Sequence, residues 1–195
     1  LMKHLGRKLY HLFGGLGLLS LYYVLGRDHA LPVYGALFLI VLAVDTARLK
    51  IPAFNQFVFS RFGSFIRPSE VNKLTGTPPY ILGIGLSLYL YRPEAASAAI
   101  CFLACGDVAA TAVGERYGKT KIGSKSLEGT AAFVMAAVSA GFLLSAAGVS
   151  LMPEVIVLGA LAAAGAELLT LPVNDNLIIP LVSGGAMELV LRWTA

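Results

Sequence analysis

Residues Gly106–Gly129, GDVAATAVGERYGKTKIGSKSLEG, join two strongly apolar stretches and carry Asp107, Glu115, Arg116, Lys119, Lys121, Lys125 and Glu128. Ionisable side chains at the edge of hydrocarbon are costly enough to mark a functional site by default. Gly106, Ala110 and Gly114 recur at every fourth position, a small-residue face that suits either close helix packing or the approach of a flat ligand. Asp107 lies beside that face with no base next to it in sequence, an arrangement that invites a divalent cation. The segment from Gly118 to Ser126 comes close to a phosphate-binding glycine loop and misses it. One residue is extra before Lys125-Ser126, and a helical pattern precedes it where a strand is required. A P-loop nucleoside triphosphatase is therefore excluded. Flexible glycines, several cations and a helix starting at Ser126 still make a phosphate cradle. Glu128, in the first turn of that helix, reads either as a favourable N-terminal acid or as a metal ligand.

Outward from this stretch, composition defines the solvent. Of 195 residues 57% are hydrophobic and only 13% charged, and the mean hydropathy is +0.76, values of a polytopic membrane protein. No polar block of domain size interrupts the chain, so residues 1–195 read as one integral membrane domain. Apolar runs at about 9–25, 31–48, 77–92, 94–113, 127–148, 152–170 and 176–192 predict an all-α fold with about seven transmembrane helices. With the N-terminus in the cytoplasm, only Arg27, Arg92 and Arg192 of the fifteen Lys and Arg fall outside. The positive-inside bias thus predicts N-terminus in, C-terminus out and chemistry on the cytoplasmic side, in a prokaryotic cell membrane. A cleaved signal peptide is the competing reading of Lys3, Arg7 and Lys8 before an apolar run, but no small-residue cleavage pattern follows. Cys101 and Cys105 share a helix face with no second pair, and read as buried, inert thiols.

Upstream, HLGRKLYHLFGGLG brings Arg7, Lys8 and His11 within about a turn of one another. Arg7 and Lys8 read as orienting charges or contacts to lipid phosphate, and His11 either as a neutral core histidine or as a functional one. Asp45 and Arg48 are three apart and can pair, although a carboxylate so near hydrocarbon needs a partner or a metal. From Pro52 to Pro68, Phe54, Phe57, Val58, Phe62, Phe65 and Ile66 recur at helical spacing. This predicts a cytoplasmic interfacial amphipathic helix, either a passive anchor or the edge of a lateral lipid entrance. In the RPSE run, Arg67 and Glu70 form either an exposed ion pair or, for Arg67, a phosphate contact.

Downstream, the run AELLTLPVNDN brings Glu167 to the inner end of a helix that Pro172 stops. One of Asn174, Asp175 and Asn176 caps the next helix. Asp45, Asp107, Glu128, Glu167 and Asp175 thus gather near inner helix ends alongside Lys8, Arg48, Arg67, Arg116 and Lys125. Carboxylates hold magnesium, cations neutralise phosphate oxygens and one carboxylate accepts a hydroxyl proton, which is the equipment of metal-assisted phosphoryl transfer. A transporter would place acids at mid-span in repeated halves, and the chain has no such repeat.

RKLYHLFGG, the D-x-x-R of Asp45 and Arg48, RPSE, GDVAATAVGERYGK with KSLEG, and AELLTLPVNDN together resemble the CTP-dependent lipid kinases, which include dolichol and polyprenol kinase, yeast-type diacylglycerol kinase and phytol kinase. The nucleotide-binding region is also similar to that of phosphatidate cytidylyltransferases. The resemblance covers nearly the whole chain. It implies a membrane enzyme that transfers the γ-phosphate of CTP to a lipid alcohol with Mg2+. It also implies a nucleotide site of Asp107, Gly114, Arg116, Gly118, Lys119, Lys125, Ser126, Leu127, Glu128 and Gly129, faced by Asp175 and Asn176. On this basis Arg116, Lys121 and Lys125 are expected to clamp the triphosphate and Asp107 with Glu128 or Asp175 to bind the metal. Either Asp45 or Asp107 takes the hydroxyl proton, and Lys8, His11, Arg48, Arg67, Glu70 and Glu167 support the substrates. A cytidylyltransferase attacking the α-phosphate is the alternative, and a lipid or ion transporter a third. Nucleic acid is not an expected partner, and a homo-oligomer is left open.

Overall fold

Proline marks where the helices start. In the computed structural model, which describes residues 5–169 and 173–193, Pro52, Pro78, Pro93 and Pro153 each occupy one of the first two positions of a helix, where the missing N–H has no intrahelical partner to lose. The elements in order are α1 (Leu5–Leu25), α2 (Arg27–Lys50), α3 (Pro52–Phe62), α4 (Thr77–Leu90), α5 (Pro93–Tyr117), a β1–β2 hairpin (Lys121–Ile122 and Lys125–Ser126), α6 (Leu127–Ala146), α7 (Pro153–Leu168) and α8 (Asp175–Trp193). Single-turn 310 helices lie at Gly63–Phe65 and Pro68–Glu70. The expected roles of Lys3 and of Pro172 as a helix stop lie outside the described residues.

Helix α5 is the axis. It packs against α1, α4, α6, α7 and α8, while α2 stands on α4. Ala95, Ala96, Ala98 and Ala99 of α5 are all completely buried, so successive residues around its circumference meet protein and not solvent. The polarity of the molecule is inverted relative to a soluble domain. Phe13, Leu39, Ile40, Leu143 and Leu189 are each more than 60% exposed, whereas Arg7, Lys8, Asp45, Arg48, Glu167 and Glu188 are buried. An apolar exterior over a paired ionic interior is what a hydrocarbon surround requires. The chain is an all-α integral membrane protein.

Each of the seven apolar runs coincides with a helix, yet among the described residues only α2, α5 and α6 are long and apolar enough to cross a membrane by themselves. At 14 and 16 residues, α4 and α7 are shorter than the ~20 that a straight span needs. Charged residues interrupt α1 (Arg7, Lys8) and α8 (Asp175, Glu188, Arg192). Helix α5 runs past the expected end at 113 to Tyr117, so Gly114, Glu115 and Arg116 lie on its last turns.

Arg48 ties the C-terminal end of α2 together. It is 1% exposed, and every guanidinium proton is used: Nε donates to Asp45, Nη1 to Asn55 Oδ1 and the Val71 carbonyl, and Nη2 to the carbonyls of Glu70 and Lys73. Its ring-facing side covers Phe59 of α3. Asp45 closes the knot, its Oδ2 accepting from the amide and hydroxyl of Thr75 at 2.6 and 3.1 Å. The expected Asp45–Arg48 pair is formed, and it leaves Arg48 no donor for a ligand. At the other end of α5, Glu188 of α8 meets Arg192 at 3.0 Å and accepts from the Arg92 amide at 2.9 Å.

Removing one partner of a buried, hydrogen-bonded ion pair costs roughly 3–5 kcal/mol. Arg48→Ala is therefore expected to lower the thermal midpoint of the detergent-solubilised protein strongly. Arg48→Lys should lower it almost as far, because one ammonium cannot reach acceptors spread over α2, α3 and residues 70–73. A midpoint unchanged in both variants would show that the knot carries no stability.

Candidate active site

The site begins where α5 and α6 cross. Gly118 and Gly129 are needed there for close approach: a Cβ on Gly129 would stand 2.8 Å from the Ala110 carbonyl oxygen, and one on Gly118 would collide with the Gly114 carbonyl and with Ser126. Of the two readings of the small-residue face, close helix packing holds for Gly106, which abuts the Phe133 ring, while Ala110 and Gly114 also line a cavity. Between the two helices the chain makes a hairpin, with Lys121 opposite Ser126 and Ile122 opposite Lys125. Gly123 turns it at φ 57°, a left-handed conformation that glycine adopts without penalty. The expected flexible loop is thus an ordered two-residue turn, and its signal was the Gly-Ser between Lys-Ile and Lys-Ser. Ser126 then caps α6, its Oγ accepting from the Gly129 amide at 3.2 Å.

These parts enclose a cavity of about 240 Å³ lined by α5 (Ala110, Thr111, Gly114, Glu115), the hairpin (Lys121, Ser124, Lys125), the start of α6 and Glu167 of α7. Lys125 is its best-held cation. Its Nζ lies 2.5 Å from Glu167 Oε1 and 3.1 Å from Asp175 Oδ2, so one ammonium fastens the hairpin to both α7 and α8. Burial works against the charged ammonium, but the hydrogen bond to Glu167 and the charge of Asp175 outweigh it and hold Lys125 above its ordinary pKa. The second oxygen of Glu167 is buried without a hydrogen-bond partner among the described residues.

The cavity is connected to the Arg48 knot through α8. Asn174 caps that helix, accepting from the Asn176 amide at 3.0 Å. Asn176 Nδ2 donates to the Gly76 carbonyl at 3.0 Å, and Gly76 follows Thr75, the partner of Asp45. A second cavity, about 430 Å³ and largely apolar, lies on that side. Tyr10, Val41, Val44, Asp45, Phe62 and Thr75 are among its walls.

Asp107 is not among the residues that line either cavity; it stands one helical turn before Ala110 and Thr111 of the first. Sequence proximity suggested an acid without a base; the fold supplies one from 99 residues away, Lys8 Nζ at 2.5 Å from Oδ2. Lys8 is 3% exposed at its side chain and Asp107 19%. Arg7 is an electrostatic neighbour of both Lys8 and Asp107, and Arg67, Glu70 and Glu115 are neighbours of Arg7. Arg7 is buried, its Nε without a hydrogen-bond partner among the described residues; sequence reading gave it an orienting role or a contact to lipid phosphate, and its adjacency to Lys8 put it on the same turn.

Other expected site residues take different places. His11 is buried beside Tyr80, ring centroids 4.5 Å apart, and its carbonyl accepts the Tyr80 hydroxyl. Glu70 makes hydrogen bonds to the Arg67 and Gly76 amides at 2.9 and 3.1 Å, an N-terminal cap in place of the expected side-chain ion pair. Glu128 accepts the Thr120 amide at 3.0 Å, fastening the segment before the hairpin to α6. Arg116 lies over the Tyr117 ring, and it and Lys119 are exposed; neither is among the residues that line the first cavity, whereas Lys121 is. No group of three or more His, Cys, Asp or Glu side chains that could hold a metal ion occurs among the described residues. Magnesium needs only one or two carboxylates when it rides on phosphate oxygens and water. Glu167, with its unpartnered buried oxygen, and Asp175 beside the same ammonium form a donor pair that fits such an ion.

The chain is 34% identical over 139 residues to CTP-dependent diacylglycerol kinase 1 of Eremothecium gossypii, a match covering 68% of this chain and 44% of that protein. It is 29% identical over 145 residues to the Saccharomyces cerevisiae protein of that name, covering 70% and 49%. With the Schizosaccharomyces pombe protein it shares 27% over 176 residues, covering 83% and 81%. These matches, at 27–34% identity over most of the chain, support the CTP-dependent lipid kinase family. The chain spans about half the length of the first two of these relatives. No family model and no solved structure matches the chain.

Two measurements test the geometry. Lys8→Met and Asp107→Asn should each destabilise the protein, and the double variant should cost less than the sum by roughly 1 kcal/mol or more; strict additivity in the cycle would mean that the two do not interact. Gly129→Val should destabilise by roughly 1–3 kcal/mol through overpacking at the crossing, read in the same melting assay, whereas a neutral result would place α5 and α6 further apart.

Proposed function

We propose that the protein transfers the γ-phosphate of CTP to the hydroxyl of a membrane lipid alcohol, of diacylglycerol type. One observation carries this reading: a cation-bearing cavity at a helix N-terminus and an apolar cavity with a polar floor are linked through the start of α8, where Asp175 holds Lys125 and Asn176 holds the Gly76 carbonyl. The names of the relatives support CTP as donor and diacylglycerol as acceptor. The seven-helix crossing with the N-terminus in the cytoplasm, and an interfacial position for α3, belong to the same proposal. They are supported by the distribution of Lys and Arg and by the exposed Phe57 and Phe62 of α3.

In this mechanism the triphosphate lies in the first cavity, where Lys121, Lys125, the Ser124 and Ser126 hydroxyls and the start of α6 offset its charge. Magnesium, when bound, neutralises charge on the transferring phosphoryl group, and Glu167 and Asp175 are the residues that would hold it. The acceptor hydroxyl enters from the apolar cavity. Its oxygen bonds to the γ-phosphorus as the bond from that phosphorus to the β,γ-bridging oxygen breaks, giving CDP and a lipid phosphate. Asp107 takes the hydroxyl proton. Asp45 is the poorer candidate because Arg48 and both donors of Thr75 already occupy its oxygens. Lys8 positions Asp107, and Arg7 and Arg67 stand where the new phosphate monoester forms.

Purified protein in mixed micelles, given γ-labelled CTP, ATP, GTP or UTP with dioleoylglycerol, should pass label to lipid fastest from CTP. Asp107→Asn and Lys125→Ala should each cut the rate by roughly a hundredfold or more while remaining folded. Pyrophosphate and a CDP-lipid as products, or full turnover by Asp107→Asn, would refute the assignment.

A further inference from the structure

A third cavity, about 190 Å³, lies between α2 and α4 and is lined by Leu31, Tyr34, Phe38, Ile81 and Leu86 together with the glycines at 35 and 85. On α2 its residues 31, 34 and 38 continue through 41, 45 and 48 of the apolar cavity beside Asp45, steps of three and four that keep to one helix face. On α4 residue 77 of one cavity leads to 81, 85 and 89 of the other in the same way. The two cavities are therefore successive parts of one groove.

The groove has a direction. Its inner part ends on Asp45, Arg48 and Thr75, and its outer part has no charged side chain. Tyr34 turns its hydroxyl away to the Leu18 carbonyl of α1, so it offers the groove only ring surface. From residue 44 to residue 31 an α-helix rises about 20 Å, more than the ~15 Å depth of one leaflet. The floor is kept open by glycine: a Cβ at Gly35 would meet nothing within 4 Å, and one at Gly85 only Tyr34 Cβ at 3.6 Å.

We propose that this groove holds one fatty acyl chain of the lipid alcohol acceptor, with its head-group end at the polar inner end of the groove and its chain running outward over Gly35 and Gly85. The inference rests on the lipid-alcohol reading above and adds the determinant of chain length. A polar head at one end, an apolar track of leaflet depth and two missing side chains along it fit a single extended chain, and the continuity of the groove with the head-group cavity sets which lipid occupies it.

Gly35→Leu fills the outer part of the groove without touching the residues that handle phosphate. It should lower kcat/KM for dioleoylglycerol by roughly tenfold or more and leave that for dioctanoylglycerol within about twofold, because a short chain stops before residue 35. Equal losses with both acceptors, or none with either, would overturn the proposal. A diacylglycerol carrying a diazirine near the chain end provides a readout independent of turnover. Label should fall on residues 31–38 and 81–86, be competed by unlabelled dioleoylglycerol and be lost in Gly35→Leu. Label spread over the exterior and not competed would also overturn it. Competed labelling without any CTP-dependent transfer would leave the groove standing and refute only the kinase reading.

Discussion

Lys8 and Asp107 meet at 2.5 Å across 99 residues of sequence, and the rest of the bundle is arranged by the need that this contact satisfies. A charge that is shut away from water and surrounded by hydrocarbon must find an opposite charge or a set of dipoles within the protein. The pair sets α1 beside α5. The Arg48 knot does the same for α2, α3 and the residues that lead into α4, and Lys125 does it for the hairpin, α7 and α8. Apolar packing alone is a weak guide to which helix stands beside which, because lipid is as good a neighbour as leucine. Ionic contacts supply that choice.

How much of this could be read from the chain depends on the range of the interaction concerned. Helices were legible because length, apolarity and proline punctuation are local: the seven apolar runs and the helical start at Pro52 all coincide with elements. The Asp45–Arg48 pair was legible at a separation of three. Pairings between distant segments were not, since nothing near Asp107 in sequence points to Lys8, and nothing near Arg48 points to the carbonyls of residues 70, 71 and 73. The same limit explains why Glu128 and Glu70, both credible ligands by residue type, turn out to hold backbone amides. The hairpin was within reach of sequence and was obscured by the stronger pattern of a glycine- and lysine-rich loop.

Function enters through the two ways in which the interior departs from tight packing. Around Gly114 and Gly129 the helices approach so closely that backbone, and not side chain, forms part of a cavity wall. Around Asp45 a polar floor lies beneath an apolar vault. Relatedness to diacylglycerol kinases that use CTP and the presence of these two unlike compartments are independent observations, one from sequence similarity and one from shape, and they converge on a reaction between a polyanion and an amphiphile.

The alanines of α5 have a consequence for the dimensions of the molecule. Interaxial distances between packed helices range over about 8–10 Å according to the side chains at the contact. With methyl groups at positions 95, 96, 98 and 99, this central rod is nearly as thin as a helix can be. Methyl groups there leave room for its neighbours to approach, and α8 touches α4 as well as α5. Bundle girth is thereby set by the narrowest member, and bulk added there would loosen contacts between helices that never touch the altered residue.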